Sequence, residues 1–387
     1  MLLVTISVIL SLALVVIVQR FARTLLLSMI SGFTLFVAMN PTLRWSLVKL
    51  ILASVQDKSF VTLIPAVFFI YFLGEIMEIS KDAEKLTESV QKLFDGSRGA
   101  VVFIPSAIGL MPMPAGAMFT APMVDQIGKG IPSLDKMTIN YWFRHCLEFF
   151  WPVYPAMYLL SGLTSTKVGT ISLKLLPLFV MAFLVGWFYL NGLRFVKLNR
   201  LSKDEAKHLW PLLPILSVGF LILLFKMEGY FALLLVSVLY ALVRIRYVLI
   251  SLKKTMKKLD VVPILLLVFM FKHAMMDFNL GERMSQELGN LGFGMKIVAV
   301  FLPLLIGMST GITHAALGIS YPVVAGMGGQ QLGLLTYVFS VLGVLLSPVH
   351  LCLVLTLDYF KVDLMKAFLK MIPLITMVGF IGYLLYA

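Results

Sequence analysis

Residues Val101 to Val124 read VVFIPSAIGLMPMPAGAMFTAPMV. The run is apolar enough for a bilayer, yet Pro105, Pro112 and Pro114, with Gly109 and Gly116, argue against an unbroken spanning helix. Each internal proline removes a backbone donor and clashes with the preceding turn. A distorted copy, VFLPLLIGMSTGITHAALGISYPVV, runs from Val300 to Val324. Pro105 and Pro303 stand 198 residues apart, and Gly109 and Gly307 keep that offset. Two interrupted apolar segments at matching places in two halves point to a transporter binding site near the bilayer midplane.

The whole chain supports a membrane reading. Of its 387 residues, 60% are hydrophobic and 13% charged, and the mean hydropathy is +0.97. A soluble domain needs far more polar surface. Apolar runs of about 20 residues recur, each able to cross roughly 30 Å of hydrocarbon as a helix. The strand alternation of a membrane barrel is absent, so the fold class is an all-α polytopic membrane protein. Met1 to Val18 lacks a basic leader and is expected to be a retained first span. Cys146 and Cys352 lie in apolar segments, with neither a disulfide framework nor metal-ligand spacing, and no metal is expected. The net charge of +13 is assigned to cytoplasmic loops rather than to nucleic acid.

In chain order, spans are expected at Met1 to Val18, Thr24 to Met39 and Phe60 to Ile79, with Trp45 to Val55 at the interface. Ser80 to Gly96 reads as an amphipathic surface helix ended by Asp95-Gly96. Ala83, Leu86, Val90, Leu93 and Phe94 form its apolar face, and Lys81, Asp82, Glu84, Glu88 and Lys92 its water face. After the first interrupted segment, Asn140 to Leu163 is broken by Trp151-Pro152-Val153-Tyr154-Pro155. Leu175 to Leu193 closes the half, and Arg194 to His208 connects to the next. The second half repeats the order: Leu209 to Phe225, Tyr230 to Val243, the basic loop Arg244 to Lys258, and a span from Pro263 to Phe278. Polar Gly281 to Asn290 then leads to the second interrupted segment, followed by Leu334 to Leu357, broken at Ser347-Pro348, and Met371 to Tyr386. Leu173-Lys174-Leu175-Leu176-Pro177-Leu178 matches Leu369-Lys370-Met371-Ile372-Pro373-Leu374 at an offset of 196.

If each proline-broken segment is a re-entrant hairpin, each half has five crossings, and an odd number inverts the second half. With both termini outside, 23 of the 32 Lys and Arg residues fall in cytoplasmic segments. That split follows the positive-inside rule and places the chain in the plasma membrane as a multi-pass protein.

Hairpin tips inside a membrane leave amides and carbonyls for water or ligand. The first tip, with Met113, Pro114, Ala115 and Gly116, offers only backbone. The second adds the side chains of Ser309, Thr310, Thr313 and His314 around Gly311. Helix N-termini at such tips attract anions; the alternative is that the small residues serve close helix packing. Asn140, Arg144, His145 and Glu148 precede the first mid-span break, where charges are costly unless paired or solvated. Arg144 and Glu148, four apart, could pair on one helix face. Arg144 could instead contact substrate or snorkel to the surface, and His145 or Glu148 could gate or carry protons. Tyr154 and His350 occupy equivalent places beside the two breaks. Lys272, His273 and Asp277, like Glu75 and Glu78, lie near span ends, where solvation at the interface is expected.

Gly307-Met308-Ser309-Thr310-Gly311 matches G-x-S-x-G, but that elbow needs a strand leading into a helix. There is no H-E-x-x-H, P-loop or dinucleotide fingerprint, so neither an enzyme nor an ATP-driven pump is expected.

The order of surface helix, hairpin, broken helix and closing span, given twice, resembles the ion-transporter superfamily. That superfamily includes divalent-anion/sodium symporters and the citrate and gluconate permeases. The runs PMPAGAMFTAPMVD, NYWFRHCLEFFWPVYPA and SPVHLCLVLT are similar to a group of bacterial and archaeal integral membrane proteins within it. The resemblance implies a homodimeric elevator, with scaffold and arm segments at 1–97 and 196–291 and moving segments at 98–195 and 292–387. One departure stands out: the symporters carry Ser-Asn-Thr at both tips, and neither tip here contains Asn. The resemblance therefore does not extend to a dicarboxylate substrate or to sodium coupling.

The expected function is secondary active transport of a small organic anion by a symporter-like elevator. No cofactor is expected beyond a coupling Na+ or H+. The expected partners are the substrate, the bilayer and a second copy of the chain. The alternative is a proton-coupled cation or metal exporter, suggested by His145, His314 and His350; the alternative of another class is an intramembrane hydrolase using Ser309.

Overall fold

In hydrocarbon a backbone must satisfy its own amides and carbonyls, and the apolar runs do so by coiling. A computed structural model describes residues 3–22, 24–94, 98–111, 116–191, 198–290 and 294–387. Among the described residues the regular elements are helical and none is a strand. Helices α1 (Leu3–Ala22) and α2 (Leu25–Met39) pack as a hairpin. Gly32 permits their close approach, since a Cβ there would lie 2.8 Å from the Ser11 carbonyl. Short α3 (Pro41–Arg44) and α4 (Leu47–Gln56) lead to α5 (Lys58–Ile79) and α6 (Asp82–Phe94). Then come α7 (Phe103–Gly109), α8 (Gly116–Ile127), α9 (Ser133–His145), α10 (Pro155–Thr164) and α11 (Val168–Gly186).

A short α12 (Lys203–Lys207), closed by a Ser202–Glu205 capping box, joins this series to the next. The next series is α13 (Leu212–Leu223), α14 (Gly229–Val243), α15 (Val248–Lys257), α16 (Val261–Asp277) and α17 (Leu280–Gly289). It continues with α18 (Met295–Thr310), α19 (Thr313–Gly326), α20 (Gly333–Leu345), α21 (Leu351–Phe360) and α22 (Leu364–Tyr386).

Among the described residues four helices are long and apolar enough to cross a bilayer: Leu3–Ala22, Lys58–Ile79, Val168–Leu190 and Leu364–Tyr386. The count reaches six if the pairs bent by 99° at α14–α15 and by 68° at α16–α17 each serve as one span. Other expected crossings are built from shorter pieces. The 15 residues of α2 rise about 22 Å, and the two mid-span breaks divide their runs into α9 with α10 and α20 with α21. Exposed apolar side chains line the outward helices: Leu213, Leu216 and Phe220 on α13, Leu239 and Leu242 on α14, Phe380 and Leu384 on α22. Water would not tolerate so much contiguous apolar surface, and lipid does. The chain is an all-α membrane protein.

Several charges sit where helical periodicity does not place them. Asp82, expected on the water face of α6, is 1% exposed. Its carboxylate accepts from Arg244 Nε at 2.6 Å, Arg244 Nη2 at 2.7 Å and the Tyr240 hydroxyl at 2.5 Å. The Arg244 guanidinium also lies over the Trp210 ring. The end of α14 meets the start of α6, so this pair is set by packing between segments far apart in sequence. Glu75, expected in the interface, is buried and paired with Lys258. Lys272 and His273 are likewise not left to solvent: both meet Asp57, the residue that caps α5, at 2.9 and 3.2 Å. Burial pushes the Asp57 carboxyl up, but the Lys272 ammonium and the Ser59 amide outweigh that and hold it below its ordinary range.

Arg244→Ala strands a buried carboxylate and should lower stability by about 3 kcal/mol. Lys207→Ala, in an exposed pair with Asp204, should leave the melting temperature unchanged in the same detergent unfolding assay.

Candidate functional site

Proline chemistry interrupts the two central runs. Past His145 the chain tightens into a 3-10 turn over Cys146–Phe149. Tyr154 is extended (φ −78°, ψ 131°), as a residue before proline prefers, and Pro155 opens α10 at a position where its missing amide costs nothing. In the second run α20 stops at Leu345, and the extended His350 (φ −67°, ψ 119°) begins α21. The α18–α19 turn is made by Gly311 in the left-handed region (φ +68°) followed by extended Ile312.

Both interrupted segments, the second turning at Gly311 with Pro303 inside an intact α18, lie tightly on the helix that follows. A Cβ on Gly109 would come within 2.5 Å of the Arg144 carbonyl, and one on Gly307 within 2.8 Å of the Ser340 carbonyl. The shared offset of these glycines therefore reflects close packing of α7 on α9 and of α18 on α20.

Where the interruptions meet is a cavity of about 1290 Å³. Its wall includes Arg144, His145 and Glu148 beside the first break, Tyr154 at the start of α10, Met308 to His314 around the α18–α19 turn, and His350 to Cys352 at the start of α21. Helices α10, α19 and α21 thus begin on it, which sets the positive ends of their dipoles at its wall.

Of the residues singled out from sequence, Arg144, His145, Glu148, Tyr154, Ser309, Thr310, Gly311, Thr313, His314 and His350 share this wall. Asn140 does not. It is fully buried, accepting from Thr120 Oγ1 at 2.6 Å and donating to Thr356 Oγ1 at 3.4 Å, so it ties α8 and α21 to α9. Gly116 begins α8 against the Arg144 guanidinium, with no room for a Cβ. Met113, Pro114 and Ala115 lie outside the described residues.

The anticipated Arg144–Glu148 pair is not among the ion pairs of the described residues. The 3-10 turn at Cys146 breaks the α-helical register that would stack them. Arg144, 4% exposed, reaches the end of α7, donating to the Ile108 carbonyl at 3.4 Å. Glu148 reaches the start of α19, accepting from Thr313 Oγ1 at 3.2 Å. The Tyr154 hydroxyl donates to the Gly109 carbonyl at 2.5 Å, and the Ser309 and Thr310 hydroxyls donate to the Leu305 and Ile306 carbonyls of their own helix, each at 2.8 Å.

The two breaks touch through their histidines. His145 Nε2 and His350 Nε2 are 3.1 Å apart. His145 Nδ1 bonds the Tyr141 carbonyl at 2.7 Å, and His350 Nδ1 bonds the Gly311 carbonyl at 2.8 Å. Cys352 stands beside them, with the ligand atoms of all three residues within 4.8 Å of one another.

Sequence reasoning passed over Tyr337, Cys352, Gln19 and Arg20, which also line the cavity. Tyr337 donates to the Glu148 backbone carbonyl at 2.6 Å, yet in sequence it is one aromatic in an apolar run. Cys352 follows His350 by two residues in an otherwise apolar run, and Arg20 reads as loop charge.

Fold and cavity together define an all-α membrane protein whose interrupted helices border a chamber with charged and hydroxyl side chains in a largely apolar wall. The chain belongs to the family described as "Protein of unknown function (DUF401)", whose profile matches residues 5–387. Comparison with curated proteins finds no match.

Gly311→Ala places a side chain at left-handed φ, with its Cβ 3.0 Å from the His350 amide. It should cost about 1–2 kcal/mol, read as a lower melting temperature for the purified protein.

Proposed function

We propose that the protein is a secondary active transporter, moving a small organic anion by an elevator mechanism coupled to a Na+ or H+ gradient. The observation that carries this reading is the single cavity at which the α18–α19 turn and both interrupted helices meet. Irregular backbone at membrane depth persists where it lines such a chamber. Three helix N-termini and the Arg144 side chain favour negative charge there.

The packing supports two inverted repeats. Helix α5 packs on α14 and α15, while its counterpart α16 packs on α2 and α4. Helix α10 packs on α19, and α21 on α8. Such exchanged contacts are what a two-fold relation between halves requires. The chain ends support a topology with both termini outside. The Val4 and Thr5 amides bond the Glu287 carboxylate, and the Tyr386 hydroxyl bonds the Lys174 carbonyl. The positive-inside count puts both partner segments outside. In this reading the scaffold comprises 1–97 and 196–291, the moving parts 98–195 and 292–387, and a homodimer in the plasma membrane anchors the scaffold.

The G-x-S-x-G match forms the last turn of α18 and its Gly311 cap, with the Ser309 hydroxyl bonded to its own helix. That supports a structural serine over a nucleophile. The apposed His145 and His350 are the observation that favours the second transport reading, a proton-coupled cation or metal exporter.

A thermal-stability screen of small anions and amines, with and without Na+ and at two pH values, tests the choice. An anion at a hundred times its Kd should stabilise the protein by about 2.7 kcal/mol, and Arg144→Gln should remove that increment. Stabilisation by cations alone would favour the exporter, and stabilisation by no anion under any condition ends the anion reading.

A further inference from the structure

We infer that His145, His350 and Cys352 form a binding site for a borderline-soft divalent transition-metal ion, of the class of Zn2+, in the cavity wall. The argument begins with protons. Each imidazole has its Nδ1 on a backbone carbonyl, His145 on Tyr141 and His350 on Gly311. A carbonyl only accepts, so each Nδ1 carries the hydrogen, and in the neutral ring each Nε2 presents a lone pair. Those two lone pairs face each other at 3.1 Å. Two acceptors at that distance repel unless a positive centre lies between them.

A metal ion supplies that centre and accounts for the third group as well. Ligands at about 2.0 Å from a tetrahedral ion stand about 3.3 Å apart, close to the observed separation. A thiolate is the ligand that selects Zn2+ over hard cations such as Mg2+ or Ca2+. The arrangement around the imidazoles matches that of metal-binding histidines, whose second nitrogen is oriented by a carbonyl or carboxylate. All three residues line the large cavity, which provides an entry path and a fourth coordination position. Three protein ligands with one position open would let a bound ion meet an anionic oxygen of a cavity ligand. The site shares the transport reading's cavity and rests on that reading for its traffic with the outside, but its occupancy is measured without flux. A shared proton in place of the metal, with Cys352 hydrogen-bonded to both imidazoles, is the competing account, and it predicts no Zn2+ binding.

The full-length protein, stripped with chelator in detergent, is titrated with Zn2+ alone. One ion per chain should bind. His350→Gln and Cys352→Ser should each weaken binding at least tenfold, and His273→Gln, in the distant cluster on Asp57, should leave it unchanged. In a Cys146→Ala background Zn2+ should protect Cys352 from maleimide alkylation, a readout that needs no histidine variant to fold. Absence of Zn2+ binding, equal binding by the His350 and Cys352 variants, or alkylation indifferent to Zn2+ would overturn the site. Anion flux without Zn2+ binding removes the metal site and keeps the transporter; Zn2+ binding without flux of any anion does the reverse.

Discussion

A peptide group that loses its helical partner in hydrocarbon costs several kcal/mol unless something else bonds it. The arrangement of this molecule follows from that penalty. Pro152, Pro155 and Pro348 force α9 to stop short of α10 and α20 to stop short of α21, and Gly311 turns α18 into α19. These ends are gathered around one chamber. Their side chains meet many of the orphaned groups. Tyr154 donates to the Gly109 carbonyl, His350 engages the Gly311 carbonyl, and Tyr337 donates to the Glu148 carbonyl. The cavity and the breaks are one feature seen from two sides.

The same economy governs charge. Arg144 and Glu148 are close in sequence but reach different helices, one the end of α7 and the other the start of α19. A short 3-10 turn is enough to separate them. The guanidinium thereby meets the carbonyl end of one helix, and the carboxylate meets the hydroxyl at the amino end of another, each the favourable sense of the helix dipole. Asp82 with Arg244 and Asp57 with Lys272 solve the problem at the periphery by direct pairing.

Much of the fold could be read from residues alone, and for an identifiable reason. Span length, helix-breaking prolines and the amphipathic pattern of α6 are local properties, governed by the neighbours within a turn or two. Most of the candidate site residues were legible on the same ground, because they lie beside breaks that proline or glycine announces. Tyr337 and Cys352 were not, since an aromatic and a thiol in an apolar run look like core. Asp82 was misplaced because a helical wheel shows which face a residue occupies but not which distant residue will cover that face.

By itself, then, the sequence determined that this is a helical membrane protein with interrupted segments near residues 101–124 and 300–324 and breaks beyond them. Only the tertiary structure decided who meets whom across them: His145 with His350, Glu148 with Thr313, Asn140 with Thr356, Asp82 with Arg244. The physical reason is range. Proline strain and hydropathy act along the chain, whereas these partners are more than 150 residues apart and are brought together only by the packing of distant helices on one another.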